Sequence, residues 1–154
     1  MEIKIYWSNF CFDRLFFICK FSYKIYIWRQ KWISYGSNPF EFIISSEDVE
    51  LKKPNPLPYL KAVQLSGIEK SNSIVFEDSN PGLKSSLSAK LPTIFVPSNI
   101  PIVIDENIKL DCILDSLGDE NNVANVIKGP KLKKSYVDYS FLNDYLITIS
   151  NAKN

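Results

Sequence analysis

The 154-residue chain contains no histidine, three cysteines and two arginines. Without histidine, zinc sites of the usual kind and Ser-His or Cys-His catalysis are excluded as expectations. Cys11, Cys19 and Cys112 are odd in number and lack metal-ligand spacing, so a reduced, cytoplasmic setting is expected. Long apolar runs are absent as well. The run nearest the N-terminus, Leu15 to Cys19, is closed by Arg14 and Lys20, too short for a membrane span, and no small-residue cleavage site marks a signal peptide. A formal net charge of +1 gives no global argument for nucleic acid. Neither a nucleic-acid partner nor a membrane is expected, and there is no internal repeat or low-complexity tract.

What is present is unevenly distributed. Residues 1–37 hold both arginines, all three tryptophans and 12 of the 21 aromatic residues. Six basic residues there oppose Glu2 and Asp13, giving +4 and leaving −3 for residues 38–154. The chain is long enough for one domain with a hydrophobic core. Residues 1–37 are left unassigned, 38–120 form the expected core and 121–154 a C-terminal tail.

From Asn38 onward the pattern alternates between strands and helices. Strands are expected at Phe40–Ile44, at the continuously apolar Ser73–Phe76, at Thr93–Val96 and, more faintly, at Asp111–Leu114. A helix over Pro58–Gly67 would place Leu60, Val63 and Leu65 on one face and end at Gly67. A second would start near Pro81, capped by Asn80, with Leu83, Leu87 and Leu91 as its stripe. Tyr136–Ile149 reads as a terminal helix or an added strand. Strand-helix-strand units of these lengths predict a parallel, three-layer α/β sandwich, whose ligands bind at the carboxyl ends of the strands.

Two polar clusters fall near those ends. Glu77 and Asp78 follow a buried strand and precede a helix, where two carboxylates can hold Mg²⁺ through oxygen. Lys53 stands against the turn Lys53-Pro54-Asn55-Pro56, and an ammonium near a metal suits a transferring phosphoryl group. Taken separately, the Glu-Asp pair is usually a helix cap and the Lys-Pro usually a surface turn. Their order and spacing favour the site.

The stretch Phe42-Ile43-Ile44-Ser45-Ser46-Glu47-Asp48-Val49, with Lys53-Pro54-Asn55-Pro56 and Tyr59-Leu60, resembles the third-motif region of haloacid dehalogenase-like hydrolases, in the CbbY and β-phosphoglucomutase branch. Ile74-Val75-Phe76-Glu77-Asp78-Ser79-Asn80-Pro81-Gly82-Leu83 resembles the fourth motif of that branch, and Leu91–Val96 the strand after it. The likeness runs over roughly residues 38–118. It implies a Rossmann-like core and a Mg²⁺-dependent phosphatase or phosphomutase acting on small phosphorylated metabolites. It also implies that Lys53 binds phosphate and orients the nucleophile, that Asp78 is the main Mg²⁺ ligand, and that Glu77 is its partner.

The Asp-x-Asp-Gly-Thr motif with which such chemistry starts is missing, as is a cap domain. Asp13 has the nearest local context, but Arg14-Leu15 replaces the second carboxylate and glycine, and only 40 residues separate it from Lys53. Ser8, in Ile5-Tyr6-Trp7-Ser8-Asn9, is the candidate for the second, phosphate-binding motif. Residues 1–37 admit three origins: translation from another frame or unrelated sequence, which the composition break favours; a basic-aromatic surface element; or strands completing the sheet. The expected outcome is little or no phosphatase activity by the chain alone. A non-catalytic fragment that pairs with a separately encoded N-terminal half is the alternative.

Overall fold

The computed structural model describes residues 16–21, 24–29, 40–97 and 104–152. Among the described residues seven strands form one sheet: β1 (Phe16–Phe21), β2 (Lys24–Arg29), β3 (Phe40–Ile44), β4 (Ser73–Glu77), β5 (Thr93–Phe95), β6 (Cys112–Leu114) and β7 (Val126–Lys128). Their order is β3-β2-β1-β4-β5-β6-β7. The central pairs β1/β4, β4/β5 and β5/β6 are parallel, while β1/β2, β2/β3 and β6/β7 are antiparallel. Five strands therefore run in one direction, and β2 and β7 run against them. The fold is the expected partial Rossmann-like α/β core, with antiparallel strands added on both sides of its four-stranded parallel centre.

Side chains along the central strands point alternately to the two faces of the sheet. Ile74, Phe76, Ile94, Val96, Cys112 and Leu114 face α3 (Tyr139–Asn151) and pack on Phe141, Leu142 and Tyr145. On the other face, Val75 and Ile44 meet Tyr59 and Ala62 of α1 (Leu57–Ser66), while Phe95 packs on Leu83 of α2 (Asn80–Ser88). Every residue of β4 is buried because helices cover both faces, which explains its unbroken apolar run. The segment set apart on sequence as a tail, 121–154, contains β7 and α3, which among the described residues is the helix covering one face. Tyr145 ties that layer to the sheet: its hydroxyl donates to the Thr93 carbonyl at 2.9 Å and accepts from the Thr93 N–H at 3.0 Å.

Helix details depart from expectation in three places. The inward residues of α1 are Tyr59 and Ala62, with Leu60 and Val63 half-buried and Leu65 57% exposed, because the helix is rotated to bring Tyr59 under the sheet edge. The cap of α2 is Ser79, not Asn80; its hydroxyl accepts from the Gly82 N–H at 3.3 Å. That helix stops at Ser88, and Lys90 turns the chain at φ 59°, so Leu91 leaves the Leu83 stripe and packs with Tyr59 and Val75 instead. Gly67, at φ 67°, ends α1 as expected, its N–H bonded to the Val63 and Gln64 carbonyls.

Candidate functional site

Because β3 is antiparallel to β2 and β2 to β1, β3 ends at the same edge of the sheet as β1, β4, β5 and β6. That edge carries both polar clusters. The chain leaves β3 through a turn in which the Asp48 carboxylate accepts from the Ser45 N–H and hydroxyl, each at 2.6 Å. These bonds hold the Asp48 carboxyl below its ordinary range. Ser45 and Ser46 follow the end of β3. The Lys53-Pro54-Asn55-Pro56 segment then crosses toward α2, where the Ser85 hydroxyl donates to the Asn55 carbonyl at 2.6 Å. The Asn55 side chain in turn accepts from the Leu57 N–H at 2.9 Å and starts α1. The loop bearing Lys53 is therefore fastened at both ends.

Glu77 is the last residue of β4 and is 2% exposed. Burying a carboxylate this deeply requires partners, and it has several. Oε1 forms an ion pair with the Lys53 ammonium and accepts the Tyr59 hydroxyl proton. Oε2 accepts from the Ser79 hydroxyl at 3.2 Å and from the Asp78 N–H at 3.3 Å. Four donors match the four acceptor positions of a carboxylate. The Tyr59 hydroxyl also accepts from Lys53 Nζ at 2.7 Å, and that ammonium stands 4.4 Å from the centre of the Tyr59 ring. Gly82 completes the pocket, since a Cβ at that position would overlap the Glu77 carboxylate.

Asp78 follows in the bend between β4 and α2, half-buried, with its Oδ1 and the Asn80 Oδ1 shielded from solvent. Among the described residues no group of three or more His, Cys, Asp or Glu side chains is gathered closely enough to enclose a metal. The oxygen-only donors Asp78 and Asn80, beside a buried carboxylate, nonetheless fit Mg²⁺. That ion is commonly bound through one or two carboxylates with its remaining positions filled by water and phosphate.

Of the residues singled out on sequence, Lys53 and Glu77 touch each other, and Asp78 adjoins them in the chain. Ser8 and Asp13 lie outside the described residues. Sequence reasoning missed Tyr59, Ser79 and Gly82 as parts of the site. The signal for Tyr59 was its position in the first turn of the helix that follows the Lys-Pro turn. For Gly82, it was a glycine three residues after a helix cap.

Comparison with known proteins gives this geometry a context. Residues 35–96 match the family model of haloacid dehalogenase-like hydrolases. The protein CbbY of Rhodobacter capsulatus is 41% identical over 59 residues, covering 38% of this chain and 26% of that protein. The putative phosphatase YhcW of Bacillus subtilis is 36% identical over 61 residues, covering 40% of this chain and 28% of that protein. An uncharacterized protein of Haemophilus influenzae is 40% identical over 50 residues, covering 32% and 25% of the two chains. The chain spans about a quarter of the length of the curated relatives it matches.

Proposed function

We propose that this chain belongs, through residues 35–96, to the haloacid dehalogenase-like hydrolases, in their CbbY-like branch, and that it carries the phosphate- and Mg²⁺-binding half of a phosphatase or phosphomutase site. Its ligand in this reading is a small phosphorylated metabolite, and its setting the cytoplasm. Lys53 binds a phosphoryl oxygen through its ammonium. Asp78, with the neighbouring Asn80 oxygen, holds the Mg²⁺. Glu77, whose carboxylate already accepts from Lys53, Tyr59, Ser79 and the Asp78 N–H, acts chiefly by fixing Lys53 and the Asp78 backbone. A direct bond from Glu77 to the metal, as the family resemblance implies, would require it to give up one of these partners. A bound Mg²⁺ would supply electrophilic neutralisation of phosphoryl charge.

The observation that carries this reading is the contact between Lys53 and Glu77 across 24 residues of sequence, at the carboxyl edge of a parallel sheet.

We further propose that the chain alone does not turn over phosphate esters. The strand bordering β4 is β1, and the register Cys19↔Phe76 sends its carboxyl end toward Glu77. Neither β1 nor β2 carries a carboxylate to attack phosphorus. Lys53 and Asp78 would then bind without completing a phospho-enzyme. A separately encoded chain carrying Asp-x-Asp is the partner this reading calls for. Among the described residues β3 and β7 each have a neighbour on one side, and open strand edges accept further strands. Co-purification with such a chain would support the pairing.

The test is calorimetric titration of inorganic phosphate with and without Mg²⁺. Binding should depend on Mg²⁺ and weaken at least about tenfold, or about 1.4 kcal/mol, in both Lys53→Met and Asp78→Asn. Phosphate binding that ignores both substitutions would refute the assignment.

A further inference from the structure

Tyr59 is completely buried, yet its hydroxyl faces two charged groups from two other elements. A tyrosine that served only to fill space beneath β3 and β4 would need no hydroxyl, and phenylalanine would pack as well. Here the hydroxyl donates to Glu77 Oε1 while accepting from Lys53 Nζ, so it closes a three-membered ring of contacts among loop, helix and strand. The same ammonium stands 4.4 Å from the centre of the Tyr59 ring, at its hydroxyl end.

An ammonium held by one carboxylate alone can rotate about that contact and swing on its four-carbon stem. Held at two points, the tetrahedral head has its orientation fixed, and the direction of its third N–H follows from geometry. We infer that Tyr59 is a positioning residue of the site, whose hydroxyl sets the orientation in which Lys53 meets a phosphoryl oxygen. The inference rests on the reading of Lys53 given above. It adds that the helix after the Lys-Pro turn is part of the phosphate-binding apparatus, not merely a layer of the core.

Two measurements separate the claims. In protein labelled with ¹⁵N-lysine, the Lys53 ammonium signal is identified by its loss in Lys53→Met, and its order parameter is compared between the unsubstituted protein and Tyr59→Phe. That variant keeps the ring and its packing and removes only the hydroxyl. The order parameter should fall by about half with the circular dichroism spectrum unchanged, whereas a purely structural tyrosine would leave it unmoved. An unchanged order parameter overturns the inference. Mg²⁺-dependent binding of inorganic phosphate should weaken in parallel, by about three- to tenfold. If the unsubstituted protein binds no phosphate, the phosphatase reading fails, while the positioning role still stands or falls on the ammonium signal. Should Tyr59→Phe not fold, the Tyr59 hydroxyl proton of the unsubstituted protein decides. A resonance slow to exchange with water supports the bridge, and fast exchange refutes it.

Discussion

Replacing Gly82 by alanine sets two opposed effects against each other. Gly82 lies in the first turn of α2 with no requirement for a left-handed backbone, so alanine should favour the helix by about 1 kcal/mol. The added methyl, however, would overlap the Glu77 carboxylate. That carboxylate is the end of a flexible side chain, but its side chain is 0% exposed and engaged with Lys53, Tyr59 and Ser79. Moving it separates a buried ion pair, a loss of about 3–5 kcal/mol when one partner is left uncompensated. The clash should win by about 2–4 kcal/mol. At about 3 °C per kcal/mol for a chain of this size, thermal unfolding followed by circular dichroism should fall by about 6–12 °C. A cycle isolates the cause. In a Glu77→Ala background the obstacle is gone, and Gly82→Ala should be neutral or stabilising by up to about 1 kcal/mol. A melting temperature unchanged or raised by Gly82→Ala in the native background would refute the close fit between Glu77 and the helix.

Three further outcomes test the surroundings. Asp105 is held down to about 2 from an ordinary 3.8, first by its bond to Lys84 and then by Asn107. Because the folded carboxyl is the stronger acid, that link stabilises the fold above pH 3.8 and is lost as pH falls toward 2. The difference in urea midpoint between native protein and Lys84→Met should therefore shrink across that window, and a difference that grows would contradict the assignment. Cys112 is pushed up to about 12, chiefly by burial and then by Asp111, so at pH 8 peptide mapping should find it unalkylated in folded protein and alkylated in urea. Asp138 caps α3 by accepting from the Phe141 N–H at 3.0 Å; Asp138→Ala should cost about 1 kcal/mol, read as a urea midpoint, and no change would show the cap to be idle.

Legibility in the sequence followed the reach of the interactions. The run Ser73–Phe76 announced a buried strand because both of its faces are covered, and the turn residues at Lys53–Pro56 and Gly67 marked the ends of elements by local chemistry. Lys53, Glu77 and Asp78 were singled out together through the family resemblance, and the structure brings Lys53 and Glu77 into contact. The phase of α1 was not, because Leu60, Val63 and Leu65 outweigh Tyr59 and Ala62 in hydrophobicity. What turns the helix is a polar contact between Tyr59 and Glu77, 18 residues apart. The cap of α2 was misplaced by one residue because Ser79 and Asn80 are both good caps, and only the backbone geometry distinguishes them. Strands at 16–21 and 24–29 were left as one of three readings: they pair with each other locally, but what joins them to the core is the parallel pairing of β1 with Ser73–Phe76, far along the chain. The covering helix α3 was left open between helix and strand, since its stripe has meaning only against Ile94 and Cys112 of a sheet already formed.

The central claim is that this chain holds the lysine and the metal carboxylate of a phosphatase site without a nucleophile. It is tested most directly by assaying the purified protein for hydrolysis of a simple aryl phosphate with Mg²⁺, beside Asp78→Ala. The account predicts no turnover above the uncatalysed rate in either protein. Mg²⁺-dependent turnover by the native chain, abolished by Asp78→Ala, would contradict it and require a nucleophile within this sequence.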